Sequence, residues 1–176
     1  KSQCDAIVKV INGTNEWKES ITVPAFRQWI IMIYPHSHVD IGYTNTHANV
    51  ELIHTRNLVN GLELARKTKD YPEGARYRWN PEVIWPVERY FSNASEEEKQ
   101  NILDGIKDGY LPLDAGYVNV NTTIAGDEEL LELFRQGQEY KKITGQKIET
   151  LVQVDIPGMS WGIVPIAAKL GVKYCF

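Results

Sequence analysis

Cysteine is scarce in this sequence: Cys4 and Cys175 are the only two in 176 residues, and they lie near opposite ends. Neither a disulfide framework nor a cysteine-based zinc knuckle is spelled out. A dominant charge is lacking too. With 19 Lys+Arg against 23 Asp+Glu the net charge is -4, so there is no basic footprint for nucleic acid or an anionic membrane. Long apolar runs are missing as well. The longest uncharged one, Ile156 to Ala168, holds two Pro and two Gly and falls short of the roughly 20 residues of a membrane span. After Lys1 there is no charged start, apolar run and small-residue cleavage site, so no export signal is read. Sequons at Asn12, Asn93 and Asn121 are of a kind that chance produces often.

What remains is a globular composition: 43% hydrophobic, 24% charged, with five Trp. A chain of this size buries roughly 70% of its unfolded surface, enough for one domain or part of one. Small neutral or polar ligands are the partner class left open. From Trp29 onward, short apolar runs alternate with longer segments of helical period, which predicts an α/β fold: a parallel sheet or incomplete β/α barrel of repeated βαβ units. Residues 1–26 read differently, as a β-hairpin or the end of a preceding β-rich segment. Ala6 to Ile11 and Ile21 to Val23 are its strands, with Asn12-Gly13 as the bend.

The first buried strand is expected at Trp29 to Tyr34, apolar on both faces and stopped by Pro35. A helix from about Asn49 to Lys69 places Leu58, Leu62 and Ala65 on one stripe. A strand at Ala75 to Trp79 precedes a short helix opened by Asn80-Pro81, with Pro86 as a possible kink. Ser95 and Glu98 form a capping box for a helix to about Lys107. Leu111 to Val120 and Glu149 to Val154 read as strands around a helix from about Asp127 to Thr144. Ile163, Ile166, Ala167 and Leu170 predict a last helix that stops at Gly171, and Val172 to Phe176 begins another strand. The chain stops there in mid-fold, which suggests a part of a longer domain.

Ligands in parallel α/β architectures gather at the carboxyl ends of the strands. The first such end runs Pro35-His36-Ser37-His38-Val39-Asp40-Ile41-Gly42-Tyr43. In extended backbone His36, His38 and Asp40 share a face, and imidazole with carboxylate suits a divalent metal such as zinc. A histidine near a turn is equally often a satisfied polar group, and His36 carries both readings. The second end is Val152-Gln153-Val154-Asp155-Ile156-Pro157-Gly158, which sets the Asp155 carboxylate at the sheet rim. Taken alone, that Asp reads as a turn former.

Three segments occur together in a telling order. They are His38-Val39-Asp40-Ile41-Gly42-Tyr43, then Ala115-Gly116-Tyr117-Val118-Asn119-Val120-Asn121 before Gly126-Asp127-Glu128-Glu129, then Val154-Asp155-Ile156-Pro157-Gly158 before Leu170-Gly171-Val172-Lys173-Tyr174. From about Trp29 to Phe176 this resembles the first part of the catalytic domain of family 38 glycoside hydrolases, the α-mannosidase-like family. The resemblance implies a retaining, zinc-dependent glycosidase acting on a carbohydrate substrate. It implies one zinc held by His38, Asp40 and Asp155, with Asp155 also the nucleophile that forms a covalent glycosyl-enzyme intermediate. Tyr43 is implied as a surface on which the sugar stacks, and His36 as a residue that orients the ligands. Residues 27–176 would be the N-terminal part of the domain, with the remainder, a further His ligand and the general acid C-terminal to Phe176. The isolated piece is then not expected to catalyse.

Two departures stand out. The family commonly has Pro-Phe-Gly after its nucleophile where this chain has Ile156-Pro157-Gly158-Met159, and acidic residues where this chain has Val118 to Asn121. Glu82 and Glu88 read as parts of a solvated helix face and Asp114 as a turn residue, so none is assigned as the acid. The residues leave two other functions open: a metal-dependent amide or ester hydrolase, and a non-catalytic carbohydrate-binding domain with a degraded site.

Overall fold

The computed structural model describes residues 2–176, and the chain divides into two units, Lys1–Ile33 and Tyr34–Phe176. In the first unit β1 (Cys4–Asn12) and β2 (Asn15–Val23) pair antiparallel, from Cys4 opposite Val23 to Asn12 opposite Asn15. Gly13 and Thr14 make the loop, and Gly13 takes a φ of 62°, the positive value that two-residue hairpin turns demand. The expected hairpin is therefore present, with longer strands than the apolar alternation indicates. The expected strand after it is not. Residues 29–33 form no strand and their side chains lie open, Ile30 at 86% and Met32 at 87% exposure. An apolar run becomes a buried strand only when flanking strands supply hydrogen-bond partners, and none pairs with it among the described residues.

The second unit is built around five helices. In α1 (His47–Lys67), Thr46 caps the start by accepting from the Asn49 N–H, and Arg66 and Lys67 sit in the last turn where the helix dipole favours cations. Leu58, Leu62 and Ala65 are all fully buried, the stripe that the spacing predicts. The next helix, α2 (Trp85–Asn93), starts later than the Asn80-Pro81 cap would place it. Asn80 is instead in a parallel bridge with His36, its backbone N–H donating to Pro35 at 3.2 Å. Glu82 then takes a φ of 72°, which no right-handed helix contains. Pro86 falls in the first turn of α2 and kinks nothing.

The Ser95 and Glu98 capping box opens α3 (Glu96–Lys107) as expected. Three acids, Asp127, Glu128 and Glu129, open α4 (Asp127–Thr144), which stops at left-handed Gly145. The last helix, α5 (Ile163–Lys169), takes Pro165 in its first turn and is followed by Gly171 at a φ of 85°. Among the described residues no helix is long and apolar enough to cross a membrane.

Strand structure in this unit is sparse. β3 (Thr150–Leu151) pairs in parallel with β4 (Tyr174–Cys175). The other segments expected as strands are joined by single backbone bonds, Trp79 N–H to Tyr110 and Ala115 N–H to Thr150, at 3.1 and 2.9 Å. The fold is thus α/β, with a hairpin and few strands. Helices cover this framework, with Leu58 and Leu62 of α1, Ile102 and Ile106 of α3, Phe134 of α4 and Ile163 of α5 in one core with Leu151. Asp114 lies inside that core rather than in an exposed turn. Its carboxyl accepts the backbone N–H of Ala115 and, at 2.5 Å, that of Val152, so it ties two extended segments together.

Candidate functional site

The segment from Pro35 to Asp40 is anchored by Val39, which is buried with Val50, Val83 and Trp85. That anchoring turns the neighbouring side chains away from the apolar cluster, as alternation in extended backbone requires. His36 and His38 converge on one acceptor, Glu82. The His36 Nδ1 lies 2.6 Å from Glu82 Oε2 and the His38 Nδ1 2.8 Å from Glu82 Oε1, contacts in which an imidazole facing a carboxylate donates from Nδ1. The backbone N–H of Val39 and the Asn119 amide also donate to Oε1, at 3.0 and 2.7 Å. Glu82 has a fully buried side chain, so the reading of it as part of a solvated helix face is wrong. A buried carboxylate is tolerated only when its lone pairs are satisfied, and here four donors meet two oxygens.

The second segment end meets the first through His38. Its Nε2 lies 3.8 Å from Asp155 Oδ2, and the Asp155 side chain is 83% exposed. Asn119 completes the link: its Oδ1 accepts the Val154 N–H at 3.2 Å while its amide holds Glu82. Gln153 fixes the adjoining loop from the other side, accepting from Val120 N–H and donating to Val118, both at 2.9 Å. Thr122 accepts the Ser160 N–H at 2.7 Å beyond Asp155.

Backbone conformation marks the same residues. Glu82 and Asp155, at φ 72° and 57°, are the non-glycine residues with positive φ among those described. Such conformations cost on the order of 1–3 kcal/mol and persist where the surroundings enforce them. The cost is smallest for Asp, whose short polar side chain tolerates this region.

Of the residues singled out in the sequence, His36 and His38 are gathered around Glu82, and Asp155 is brought to His38. Asp40 is half-buried, and no group of three or more His, Cys, Asp or Glu converges as a ready metal cluster among the described residues. Tyr43 stands open at 91% exposure, beside Gly42 at a φ of 85°. Glu88 accepts the Tyr140 hydroxyl at 2.5 Å and so braces α2 against α4 instead of facing solvent freely. Behind the site His54 is buried against Trp85, and burial pushes its imidazole below the ordinary value while Glu82 pulls it back.

This arrangement meets a family pattern. The model of the glycosyl hydrolases family 38 N-terminal domain matches residues 28–176. The chain belongs to glycosyl hydrolase family 38. Among solved structures, the chain is similar to an α-mannosidase from Enterococcus faecalis V583, at 14% identity and a TM-score of 0.67, over 81% of this chain and 16% of that one. The likeness is one of fold, and the chain spans about 16% of the length of that protein. A family CE4 pseudoenzyme from Bacillus anthracis matches more loosely, at 15% identity and a TM-score of 0.47, over 82% of this chain and 42% of that one. No curated protein sequence matches significantly.

For a family 38 chain the question is whether these residues suit a cation. Two ligands at about 2.1 Å from one zinc are at most about 4.2 Å apart. His38 Nε2 and Asp155 Oδ2, at 3.8 Å, fall inside that limit, and the imidazole presents Nε2 because Nδ1 is engaged by Glu82. The pair fits a divalent ion; Asp40 does not complete a three-ligand set with it. Glu82 and Asn119 are the site residues that the sequence reading passed over. The one signal available was the segment Val118 to Asn121, which contains Asn119 and where the family commonly carries acidic residues.

Proposed function

We propose that this chain supplies the nucleophile and part of the zinc site of a retaining, α-mannosidase-like glycoside hydrolase, residues 27–176 being the N-terminal part of its catalytic domain. The observation that carries this reading is the approach of His38 Nε2 to the exposed carboxylate of Asp155 at 3.8 Å, from two segments far apart in sequence. Family membership supports the substrate class, a carbohydrate with a glycosidic bond. The extended segments around residues 79, 115, 150 and 174 are read as the inner edge of a parallel sheet of βαβ units.

His38 and Asp155 would hold the zinc, and Asp40, which does not complete the set as it stands, would have to turn toward the pair to join them. Bound there, the zinc would neutralise charge, keep the Asp155 carboxyl ionised and fix sugar hydroxyls. Asp155 attacks the anomeric carbon through one oxygen as the glycosidic C–O bond breaks, which gives a glycosyl ester on Asp155 and frees the leaving alcohol. Water then cleaves the ester from the opposite face, so configuration is retained. Asp155 projects from a strained turn into solvent, where a sugar can reach it, and Tyr43, five residues after His38, offers an open aromatic face. The proton for the leaving oxygen is assigned to no residue of this chain.

The test is Asp155→Asn in the full-length protein. Turnover of an aryl α-mannoside should fall on the order of 10³-fold or more, with Asn preserving the left-handed turn. Turnover that persists would remove Asp155 from the reaction.

A further inference from the structure

The carboxylate at the centre of the site is not one of the groups that react. Glu82 is fully buried, takes a φ of 72° unusual for its residue type, and is met by partners from two separate stretches of chain, His36, His38 and Val39 on one side and Asn119 on the other, while Asn119 in turn accepts the Val154 N–H. We propose that Glu82 is the positioning residue of this site. By accepting the Nδ1–H of His38 it fixes that imidazole in one tautomer and leaves the Nε2 lone pair directed at Asp155. By holding Asn119 it sets the backbone that carries Asp155. The inference rests on the cation-binding reading of the His38 and Asp155 pair and deepens it.

The chemistry is specific to a carboxylate. Val39 and Asn119 donate to Oε1 and each imidazole brings Nδ1 to one of the two oxygens, so a group that accepts at both positions suits all four partners. A glutamine has the same shape but offers one acceptor and one two-proton donor. Whichever way its amide turns, it faces either the His36 Nδ1 or the three donors at Oε1 with N–H against N–H. The affected imidazole relieves that conflict by moving its proton to Nε2, which is the nitrogen a cation needs free. A histidine ligand oriented by a carboxylate at its other nitrogen is a recurrent arrangement in metal sites, and loss of the orienting group weakens binding about 10- to 100-fold.

The chain has four histidines, so nitrogen-15 labelling gives a small set of imidazole signals, and two-bond proton–nitrogen correlations read each tautomer directly. In the full wild-type chain, His38 is expected as the Nδ1–H form. In Glu82→Gln, the population should shift toward Nε2–H in His36 or His38. Titration with zinc alone should show affinity about 10- to 100-fold weaker in the variant. A wild-type His38 protonated at Nε2 overturns the proposal whether or not the variant folds. An unchanged tautomer and zinc affinity in a folded Glu82→Gln chain does so as well. A wild-type chain with His38 in the Nδ1–H form that binds no zinc refutes the cation reading and upholds the role of Glu82.

Discussion

Asn119 stands between Glu82 and the backbone of the Asp155 turn, donating to Glu82 at 2.7 Å and accepting from Val154 at 3.2 Å. An amide serves both partners because one end donates and the other accepts. The carboxylate that the family commonly has in this stretch could only accept. Asn119→Asp therefore sets two carboxylates against each other in a half-buried place. It should lower stability by about 1–3 kcal/mol in urea unfolding, and by less once the pH is low enough to protonate the new acid. A variant with the wild-type midpoint at neutral pH would contradict this account of Asn119.

Gly137 offers a test in which two principles oppose each other. Helix propensity alone favours Ala over Gly in α4 by about 1 kcal/mol. The helix, however, lies so close to the segment below it that a Cβ at position 137 would come within 2.6 Å of the Ala115 carbonyl oxygen. Backbone cannot yield as a flexible side chain does. Gly137→Ala is expected to destabilise by about 1–3 kcal/mol, read from thermal or urea midpoints. A gain in stability would mean that α4 can lift away freely.

Tyr140 is buried at 4% exposure, and its hydroxyl donates to Glu88 at 2.5 Å. Burial, and then that bond, push its phenol far above the ordinary value. Tyr140→Phe keeps the ring and deletes the bond, and because water can still reach Glu88 the expected loss is near about 1.5 kcal/mol. Tyr140→Leu should cost more, since it also removes ring packing against Phe91.

Asp114 makes a prediction in pH. Burial holds its carboxyl well above the ordinary 3.8, against the opposing pull of the Val152, Ala115 and Gly116 N–H groups. An acid with a raised folded-state pKa binds its proton more tightly when folded. The associated stability is full below the unfolded value and is lost as pH rises through the folded one. Measured from about pH 4 upward, the urea midpoint of the wild type should decline relative to that of Asp114→Asn, which lacks the titration. A difference between the two that stays flat over this range would refute it.

The helices were legible because their signals are local. The stripe of Leu58, Leu62 and Ala65, the Ser95 and Glu98 box, and Gly145 and Gly171 as stops each lie within a few residues of what they control. The strand expected at Trp29 to Tyr34 failed for the opposite reason, since a strand is completed by segments elsewhere in the chain. Asn80-Pro81 has the look of a helix start, yet the Asn80 N–H goes to Pro35, a partner that no window around residue 80 contains. At the site, His38 and Asp155 could be named from their strand-end positions and the family resemblance. Glu82 could not. Its burial depends on donors from residues 36 to 39 and 119, and in sequence it is one more acid near a helix.

The left-handed conformation of Asp155 constrains this position apart from any chemistry. Asp, Asn and Gly are the residues at ease in that conformation, so the turn screens substitutions before chemistry does. A relative with Asn here would keep the bend and lose the charge, and one with Val or Ile would have to rebuild the loop. Aspartate at this position in a newly read gene is thus a mark of loop shape as much as of charge, and it is read together with the imidazole that faces it.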